Sequence, residues 1–438
     1  MSSEVIIGEK RLEPHRLRAS ILREVHARPF RALATPSRVL HFGFDTAGDR
    51  AHEDRKALTE LCVRRGVTPP RPSDKHFHVT FAGTGLRWEQ HSEFTTYTIE
   101  LPAEPESAPF HPSAATLATP MTLVPQPGPL LVAIDLHLMK DRPDHLAVER
   151  HFNRPSLAVA ENSDGTALYA TDFHADPEGF VRILVLDRGL GDERAGALVQ
   201  RLLELETYRT LALLGLPKAQ ELAPSINKIE RRLAELTGEL QKASSLADNN
   251  RLLDELTALA AELEAGAAGS LFRFGASRAY DDIVQTRLRI IGERKVGGLP
   301  TWSSFLARRM APAIRTCIAT EERQANLSRK LARAAQLLRT RVDVEVEQQN
   351  RDLLRSMNAR TRMQLRLQAT VEGLSVAAIS YYVVGLFGYM VKGAHDAGWP
   401  VDPSLATAAF VPVAVLLIWW IVRRIRNRHI GTEHEHEV

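Results

Sequence analysis

The chain has 438 residues, of which 44% are hydrophobic, and its formal charge at pH 7 is +3. This length allows two or three domains, the apolar share is typical of globular protein, and so small a net charge gives no reason to expect nucleic-acid binding. The two cysteines, far apart in sequence, predict neither a disulfide framework nor a zinc site, and the N-terminus lacks the apolar core of a secretory signal.

Short extended segments dominate the sequence between residues 39 and 187. They are rich in β-branched or aromatic residues, and several alternate apolar with polar residues, which predicts half-buried strands. The segments are RVLHFGF, HFHVTFA, FTTYTIEL, LLVAIDLHL, SLAVAE, ALYATDF and FVRILVLD. NSDG at 162–165 predicts a hairpin turn, because Asn, Asp and Gly tolerate positive φ. With a helix predicted over 192–214, residues 1–215 are predicted to form a cytoplasmic α+β domain.

Beyond Pro217 the apolar spacing becomes that of helices. Leucine and isoleucine recur at steps of three and four in 226–240, and leucine does so again in 252–263. The polar segment SSLADNN separates the two runs, so we predict an antiparallel helical hairpin that ends at GAAGS, residues 266–270. Residues 216–300 are assigned to this hairpin and to linker helices.

A very long helix is predicted next. From Pro312 to Glu372 there is no further proline or glycine, and the sequence is rich in Arg, Ala, Leu, Glu and Gln. A single helix running on through the following apolar segment would cover about 80 residues, or about 120 Å. RVDVEVE at 341–347 alternates like a strand, so continuity stays open at that point. The stalk helix is assigned to 301–373, and its weak apolar seam calls for partners, most simply other copies of the chain.

Two apolar segments of 18 residues follow, at 374–391 and 405–422. Each is just long enough to cross a hydrocarbon core of roughly 30 Å, and the alternative is a pair of buried helices in a soluble core. Arginines flank the pair on both sides, whereas the connecting loop offers one lysine, so the positive-inside rule predicts that both termini are cytoplasmic. Residues 423–438 form a basic tail that ends in alternating His and Glu, a loose cation site or a solvated terminus.

A line of polar residues marks the first span. Thr361, Gln368, Ser375, Tyr382 and Tyr389 recur at seven-residue intervals, so they share one line on a supercoiled helix. A polar line on a membrane helix usually faces protein or water, which favours an ion pathway, with plain helix packing as the alternative. The candidate ion-pathway residues are Ser375, Tyr382, Gly388, Tyr389, Met390 and Lys392.

Two of the neighbouring residue types weaken this interpretation. A ring of Lys392 side chains would hinder cations unless they splay outward, or unless the permeant species is an anion. Gly385 and Gly388, three residues apart, more often permit close helix contact than ion coordination.

The sequence predicts no enzyme and no cofactor, because phosphate loops, nucleophile elbows and HExxH are absent. Histidines are dense before residue 175, and His76 and His78 would share one face of a strand, but no spacing matches a metal-ligand signature, which leaves a metal site unknown. Glu24 and His26 could act as acid and base, although a structural anchor is the preferred interpretation.

The order of these parts resembles that of the CorA-type magnesium transporters. In that family a pentamer surrounds a pore with its long helices, and a Gly-Met-Asn motif closes the outer end of the first span. Here that place reads Gly388, Tyr389, Met390 and Val391, so the motif is absent. The resemblance implies a homo-oligomer, with a pentamer possible, embedded in a lipid bilayer and handling a divalent cation.

EVHARPF at 24–30, LRTRVDVEVEQQN at 338–350 and VEGLSVAAISYYVVGLFGYMVKG at 371–393 resemble a family of uncharacterised proteobacterial membrane proteins. That family is known only as a domain of unknown function, so the resemblance implies a bacterial inner membrane but no activity.

Two functions are consistent with these features. The first is a homo-oligomeric inner-membrane ion transporter or channel of CorA-like architecture, whose cytoplasmic domain senses a ligand or ion. The alternative is a membrane-tethered scaffold or binding protein without transport activity. An anchored hydrolase that uses the histidine-rich domain is a third, weaker hypothesis.

Overall fold

The structure is a computed structural model, and it describes most of the chain. The residues described are 5–7, 10–12, 15–18, 21–22, 30–104, 108–117, 122–142, 148–398 and 400–430. Glu24, His26 and the His/Glu tail lie outside them. The chain forms two compact units, one of residues 1–242 with 254–335 and one of residues 243–253 with 336–438.

A nine-stranded sheet forms the centre of the first unit. Its strands are β3 Ser37–Asp45, β4 His76–Phe81, β5 Thr84–Gln90, β6 Phe94–Pro102, β7 Leu130–Lys140, β8 Ala158–Glu161, β9 Ala167–Thr171, β10 Val181–Asp187 and β11 Arg294–Lys295. Their order across the sheet is β11-β8-β9-β10-β7-β3-β6-β5-β4. Neighbours are antiparallel except β10 and β7, which run parallel. Strands β1 Val5–Ile7 and β2 Lys10–Leu12 pair separately.

Seven α-helices accompany the sheet among the described residues. They are α1 Arg50–Arg64, α2 Asp192–Leu213, α3 Gly215–Lys242, α4 Leu246–Ile291, α5 Trp302–Arg309, α6 Ala311–Asp396 and α7 Pro403–Ile430. The predicted α+β class, with a sheet domain followed by long helices, is confirmed.

Side-chain alternation divides the sheet into two apolar faces. On β3, Val39 points into a core that includes α2, whereas Leu40, Phe42 and Phe44 point into a core that includes α1. Because successive strand residues face opposite sides, a single strand serves both cores. All seven predicted strands are confirmed, and the NSDG turn joins β8 to β9, with Gly165 at φ 72°.

The sequence pattern misses several elements of the first unit, and the two longest of them are β5 and α1. Strand β5 reads TGLRWEQ, in which only Leu86 and Trp88 are large apolar residues, and helix α1 reads RAHEDRKALTELCVR, which is dominated by charge. Pairing with both neighbours and burial of Trp88 fix β5, and burial of Leu58, Leu61 and Cys62 fixes α1. In both cases tertiary packing overrides a weak local preference.

The prediction that the helical hairpin ends at GAAGS is wrong. Helix α4 continues through these residues to Ile291. An ideal Cβ on Gly266 would lie 3.4 Å from the Leu222 side chain, an ordinary contact, so this part of α4 packs against α3. Just beyond the segment, Phe274 is completely buried against Ala219 and Cys317. The packing energy of such a side chain exceeds the roughly 1 kcal/mol helix penalty of a glycine.

The long helix is continuous. Residues 341–347, which alternate like a strand, lie within α6. Alternation alone makes no strand where there is no sheet edge to pair with, and a helix satisfies its backbone internally. The helix extends from Ala311 to Asp396 and therefore includes the first apolar segment, and Pro312 lies in its first turn as expected.

Gly196 of α2 tests how closely the backbone at Arg31 approaches this helix. An ideal Cβ on this residue would lie 1.6 Å from the carbonyl oxygen of Arg31. We expect Gly196→Ala to lower the free energy of unfolding by about 1–3 kcal/mol or more, because one of the two segments must move. Gly238→Ala in α3 is the control, since its Cβ would meet nothing within 4 Å. Thermal unfolding followed by tryptophan fluorescence measures both, and a harmless Gly196→Ala would contradict the packing.

Candidate functional site

Two helical stretches are long and apolar enough to cross a membrane, by length and composition. They are Trp302–Asp396 and Pro403–Arg424, whose most apolar windows have mean hydropathies of 1.7 and 2.4. If they were core helices of a soluble protein, these windows would be mostly buried. Only 6% and 11% of the two windows are buried within the chain. The exposed apolar surface is therefore of the kind that lipid or another copy covers.

The two spans pack on each other through one face of α6, which we call the hairpin face. Phe387 stacks on Phe410 of α7 with ring centroids 3.9 Å apart. Ser380 is 5% exposed on this face, and an ideal Cβ on Gly388 would lie 3.5 Å from the Thr407 side chain. The candidate residue Gly388 thus belongs to helix contact, the alternative that the sequence left open.

The line of polar residues lies away from the hairpin face. Tyr382 is 71% exposed and Tyr389 is 79% exposed. Ser375 is also exposed, although its hydroxyl donates to the backbone carbonyl of Val371 at 2.9 Å. We call Ser375, Tyr382 and Tyr389 the tyrosine face. The structure therefore places three of the six candidate residues together on a surface that α7 does not cover.

The other two candidate residues lie beside this surface. Met390 is 73% exposed. Lys392, one turn beyond Tyr389, lies near the end of α6 and is also exposed. Exposure by itself assigns neither side chain to a pathway, so their part in ion movement stays a prediction.

A pair of glycines distinguishes the two sides of α6. A leucine at Gly388 would push α7 away, whereas an ideal Cβ on Gly385 would meet nothing within 4 Å. We expect Gly388→Leu to lower stability by about 1–3 kcal/mol, as overpacking does, and Gly385→Leu to have a smaller effect. Thermal unfolding of the detergent-solubilised full chain compares them. Equal losses in both variants would argue against the hairpin face as the packed side.

The first unit carries a second candidate site, a polar cleft between the sheet and α2. Strand register places His78, Arg87, Thr98 and His41 in one row across β4, β5, β6 and β3. Side chains of α2 close the cleft from the other side. The space inside it that a water-sized molecule can reach is about 20 Å³, room for about one water molecule. It is lined by His41, Arg87, Glu89, His91, Phe94, Thr96, Gln200, Leu203, Glu204, Thr207 and Tyr208.

His41 ties α2 to the floor of the cleft. Its Nδ1 lies 2.8 Å from Thr98 Oγ1, and its Nε2 lies 3.0 Å from Thr207 Oγ1. Burial, together with the positive charge of Arg87 and the neighbouring His91, lowers the pKa of His41 to about 3. The imidazole is therefore neutral at physiological pH. Its role is to link β3, β6 and α2 through hydrogen bonds rather than to act as an acid.

Two buried polar atoms of the cleft have no hydrogen-bond partner among the described residues. Arg87 donates through Nη1 to Gln200 Oε1 at 3.3 Å, and Gln200 donates to Glu204 Oε1 at 2.9 Å. In the part of the chain that the structure describes, Arg87 Nε and Thr96 Oγ1 are buried and have no hydrogen-bond partner. Such atoms are uncommon, because an unmade bond of a buried polar group costs free energy.

A third polar cluster lies on the opposite face of the sheet. Arg38 donates to both oxygens of Asp135, at 2.9 and 2.7 Å, and to the carbonyl oxygen of Pro112 at 2.7 Å. His137 Nε2 lies 3.3 Å from Asp135 Oδ1, and burial lowers the pKa of His137. With its ion pair fully formed and all three residues at most 4% exposed, this cluster is suited to holding β3 against β7.

The histidines of the described residues form no three-ligand metal cluster. Over the described ranges, no three His, Cys, Asp or Glu side chains lie close enough together to hold a metal ion. His76 and His78 both lie on β4, as predicted, and burial, with the charge of Arg31, lowers the pKa of His78.

Sequence pattern alone did not identify Arg87, Glu89 or Thr96 as candidates. The alternation in β5 could have pointed to two of them, because Arg87 and Glu89 share the side opposite Leu86 and Trp88. Without the strand register, nothing connected that side to α2, which lies more than 100 residues further along the chain.

Comparison with known proteins identifies the family but no activity. No curated protein matches the chain. The model of one family matches residues 13–429, nearly the whole length. The chain therefore belongs to the family described as Protein of unknown function (DUF3422).

Proposed function

We propose that the protein is a homo-oligomer of CorA-like architecture in a bacterial inner membrane, with both termini cytoplasmic, and that ions move along the first span of each copy. The observation that carries this proposal is the position of the tyrosine face, which points away from α7 and exposes Tyr382 at 71%. The sheet domain then serves as the regulatory part.

Polar groups are costly in lipid, and the first span carries a line of them. Two exposed phenol hydroxyls and a serine recur along one line of this helix, whereas Ser380 and Tyr381 lie off that line. Polar groups on a membrane helix face protein or water, because hydrocarbon offers no hydrogen-bond partners. Since α7 occupies the opposite side, further copies of the first span are the simplest cover. A ring of such helices would line a path with hydroxyl groups.

The proposal leaves open whether the ion is a divalent cation or an anion. The resemblance to magnesium transporters implies a divalent cation, but the Gly-Met-Asn motif is absent. Lys392 would place one positive charge per copy near the outer end of the first span, which favours an anion. Flux measured for Mg²⁺ and for chloride separates the two.

The oligomeric mass of the detergent-purified full chain tests the proposal. We expect light scattering to give at least a trimer, with a pentamer agreeing best with the resemblance. A monomer or a dimer would contradict a central pathway between first spans, because two helices cannot enclose one.

The alternative is a membrane-tethered scaffold without transport. Two observations favour it: the hydroxyl of Ser375 is satisfied by its own helix, and Gly388 is used for packing against α7. The cytoplasmic stretch of α6 also exposes apolar side chains that suit a partner protein. They include Val344, Leu353, Leu354, Met357 and Met363, each more than half exposed. A stable monomer or dimer without flux would support this function.

A further inference from the structure

We propose that the cytoplasmic end of α7 binds the headgroup of an anionic phospholipid through two arginines that stack on two tryptophans. We call these four residues, Trp419, Trp420, Arg423 and Arg424, the headgroup site. The inference rests on the part of the proposed function that places the two spans in a bilayer, and it does not depend on ion movement.

The headgroup site lies on the side of α7 that faces away from α6. Phe410 stacks on α6, and Ala414 and Ile418 follow it at four-residue steps, at 1% and 7% exposure. Trp419 and Trp420 come next in the chain, about 100° and 200° further around the helix. They are 47% and 51% exposed, so their rings lie outside the contact between the two spans.

Each of these tryptophans carries an arginine on its ring. The guanidinium of Arg423 lies 5.0 Å from the ring centroid of Trp419, and that of Arg424 lies 5.0 Å from the ring centroid of Trp420. A stacked guanidinium keeps its edge N–H groups available, and these can donate two parallel hydrogen bonds to phosphate oxygens. Stacking also restricts the long side chain, so less conformational entropy is lost when a phosphate binds. The two arginines are therefore preorganised for a phosphate group.

The charge of this region favours an anion. Arg423 and Arg424 are exposed, and among the described residues neither forms an ion pair. By sequence, four arginines lie in 353–373 and four in 423–430, against a single acidic residue, Glu372. Clusters of four to eight basic residues directly beside a membrane span are typical of sites for anionic lipid headgroups.

The position of the headgroup site selects a phospholipid rather than free phosphate. Trp419 and Trp420 belong to the apolar segment 405–422, and the two arginines follow this segment immediately. Tryptophan is enriched where a span passes from hydrocarbon to headgroups. The arginines would thus lie at the depth of the lipid phosphates, where a bilayer presents anionic groups at high local density.

Quenching of tryptophan fluorescence by brominated phospholipids tests the proposal in the reconstituted full chain. Trp88 and Trp302 are completely buried in the first unit, so lipid cannot contact them. Trp399, which lies between the two apolar segments in sequence, is replaced by phenylalanine in every variant. Trp419 and Trp420 then report the lipid beside them. Bilayers that mix brominated phosphatidylglycerol with phosphatidylcholine, or the reverse, give the relative affinity of the two lipids.

We expect phosphatidylglycerol to bind at the headgroup site at least about threefold more tightly than phosphatidylcholine, whose headgroup has no net charge. Equal affinity would overturn the inference while leaving the spans in the bilayer. Absence of quenching by both lipids would show that α7 does not contact lipid, and would overturn the membrane placement as well. Loss of the preference in inorganic phosphate, but not in chloride of equal ionic strength, would assign the site to free phosphate instead.

Two double variants test the role of the stacked arginines. We expect Arg423→Gln with Arg424→Gln to abolish the preference for phosphatidylglycerol. Arg423→Lys with Arg424→Lys should reduce it by at least about half, because lysine keeps the charge but lacks the planar fork. A wild-type preference in the lysine variant would show that charge alone attracts the lipid, and would overturn the assignment.

Arg360→Gln with Arg362→Gln is the matched control, because it removes the same charge from α6. Both side chains are exposed, and both lie at least about 12 residues before the first apolar segment, or about 18 Å along the helix. That distance exceeds twice the screening length of about 8 Å at physiological salt. The control should therefore leave the preference unchanged. An equal loss in the control and in the Arg423→Gln, Arg424→Gln variant would indicate a diffuse basic field and would overturn the headgroup site.

Discussion

Tyr382→Leu is expected to reduce ion flux through the reconstituted protein at least about tenfold while the oligomeric mass stays unchanged. Leucine keeps much of the apolar bulk but removes the hydroxyl, and a hydrogen bond of the kind a permeating ion could form is worth about 1–3 kcal/mol. About 1.4 kcal/mol corresponds to a tenfold change in rate. The side chain is 71% exposed and lies away from the hairpin face, so its loss should not disturb the packing of α7.

Tyr381→Leu is the matched control for this experiment. Tyr381 is 78% exposed, and its ring contacts that of Tyr382 edge to face at 5.9 Å, but it lies about 100° around the helix from the tyrosine face. Flux of Mg²⁺ and of chloride into proteoliposomes, measured with fluorescent indicators, compares both variants with the wild type. If wild-type protein conducts and Tyr382→Leu conducts equally, the tyrosine face is not the pathway.

The second large effect is expected at Arg38. Arg38→Met should destabilise the first unit by about 3–5 kcal/mol, because it leaves the carboxylate of Asp135 buried at 2% exposure without its bidentate partner. His137 does not replace that partner, since its Nε2 lies 3.3 Å from Oδ1 of Asp135 and offers no second bond to the other oxygen. Chemical denaturation of the full chain, followed by the fluorescence of the buried Trp88, measures the loss.

The double variant Arg38→Met with Asp135→Leu is the control. Removing both charges replaces the ion pair with apolar volume, and such replacements are often neutral or stabilising. We therefore expect the double variant to regain most of the stability that Arg38→Met loses. A double variant as unstable as the single one would show that the lost packing of Arg38, rather than the uncompensated charge, dominates.

The same pair predicts a pH dependence. Burial by itself would raise the pKa of Asp135, but the interactions with His137 and Arg38 outweigh it and hold the pKa below the ordinary value of 3.8. A carboxylate with a depressed folded-state pKa contributes stability that is complete above its unfolded pKa and is lost as the pH falls through the folded value. The wild type should therefore lose this contribution in acid below about pH 4, and the double variant should not. Unfolding curves measured from neutral pH into this acid range would show the difference.

Local pattern was enough to predict much of this protein. Seven strands, the turn at 162–165, the helix after Asp192 and the long helix that includes the first apolar segment were all predicted from the sequence. Each is defined by periodicity or turn chemistry that acts within a few residues, and the two apolar segments are recognised by length and composition alone. The polar residues at seven-residue intervals likewise follow from the sequence alone, since helical periodicity places them on one line.

Other features depend on contacts between distant segments, and only the tertiary structure decided them. Helix α4 passes through the two glycines of GAAGS because Phe274 is buried against α3 and α6, which local helix preference cannot reveal. Arg38 and Asp135 are 97 residues apart and meet only because β3 pairs with β7. By sequence, Arg87 and Glu89 would lie on the exposed side of an ordinary strand. The register of β5 against β6 and the packing of α2 place them in the cleft instead. The physical reason is the same in each case: sequence periodicity specifies which face a side chain occupies, but only packing determines what that face meets.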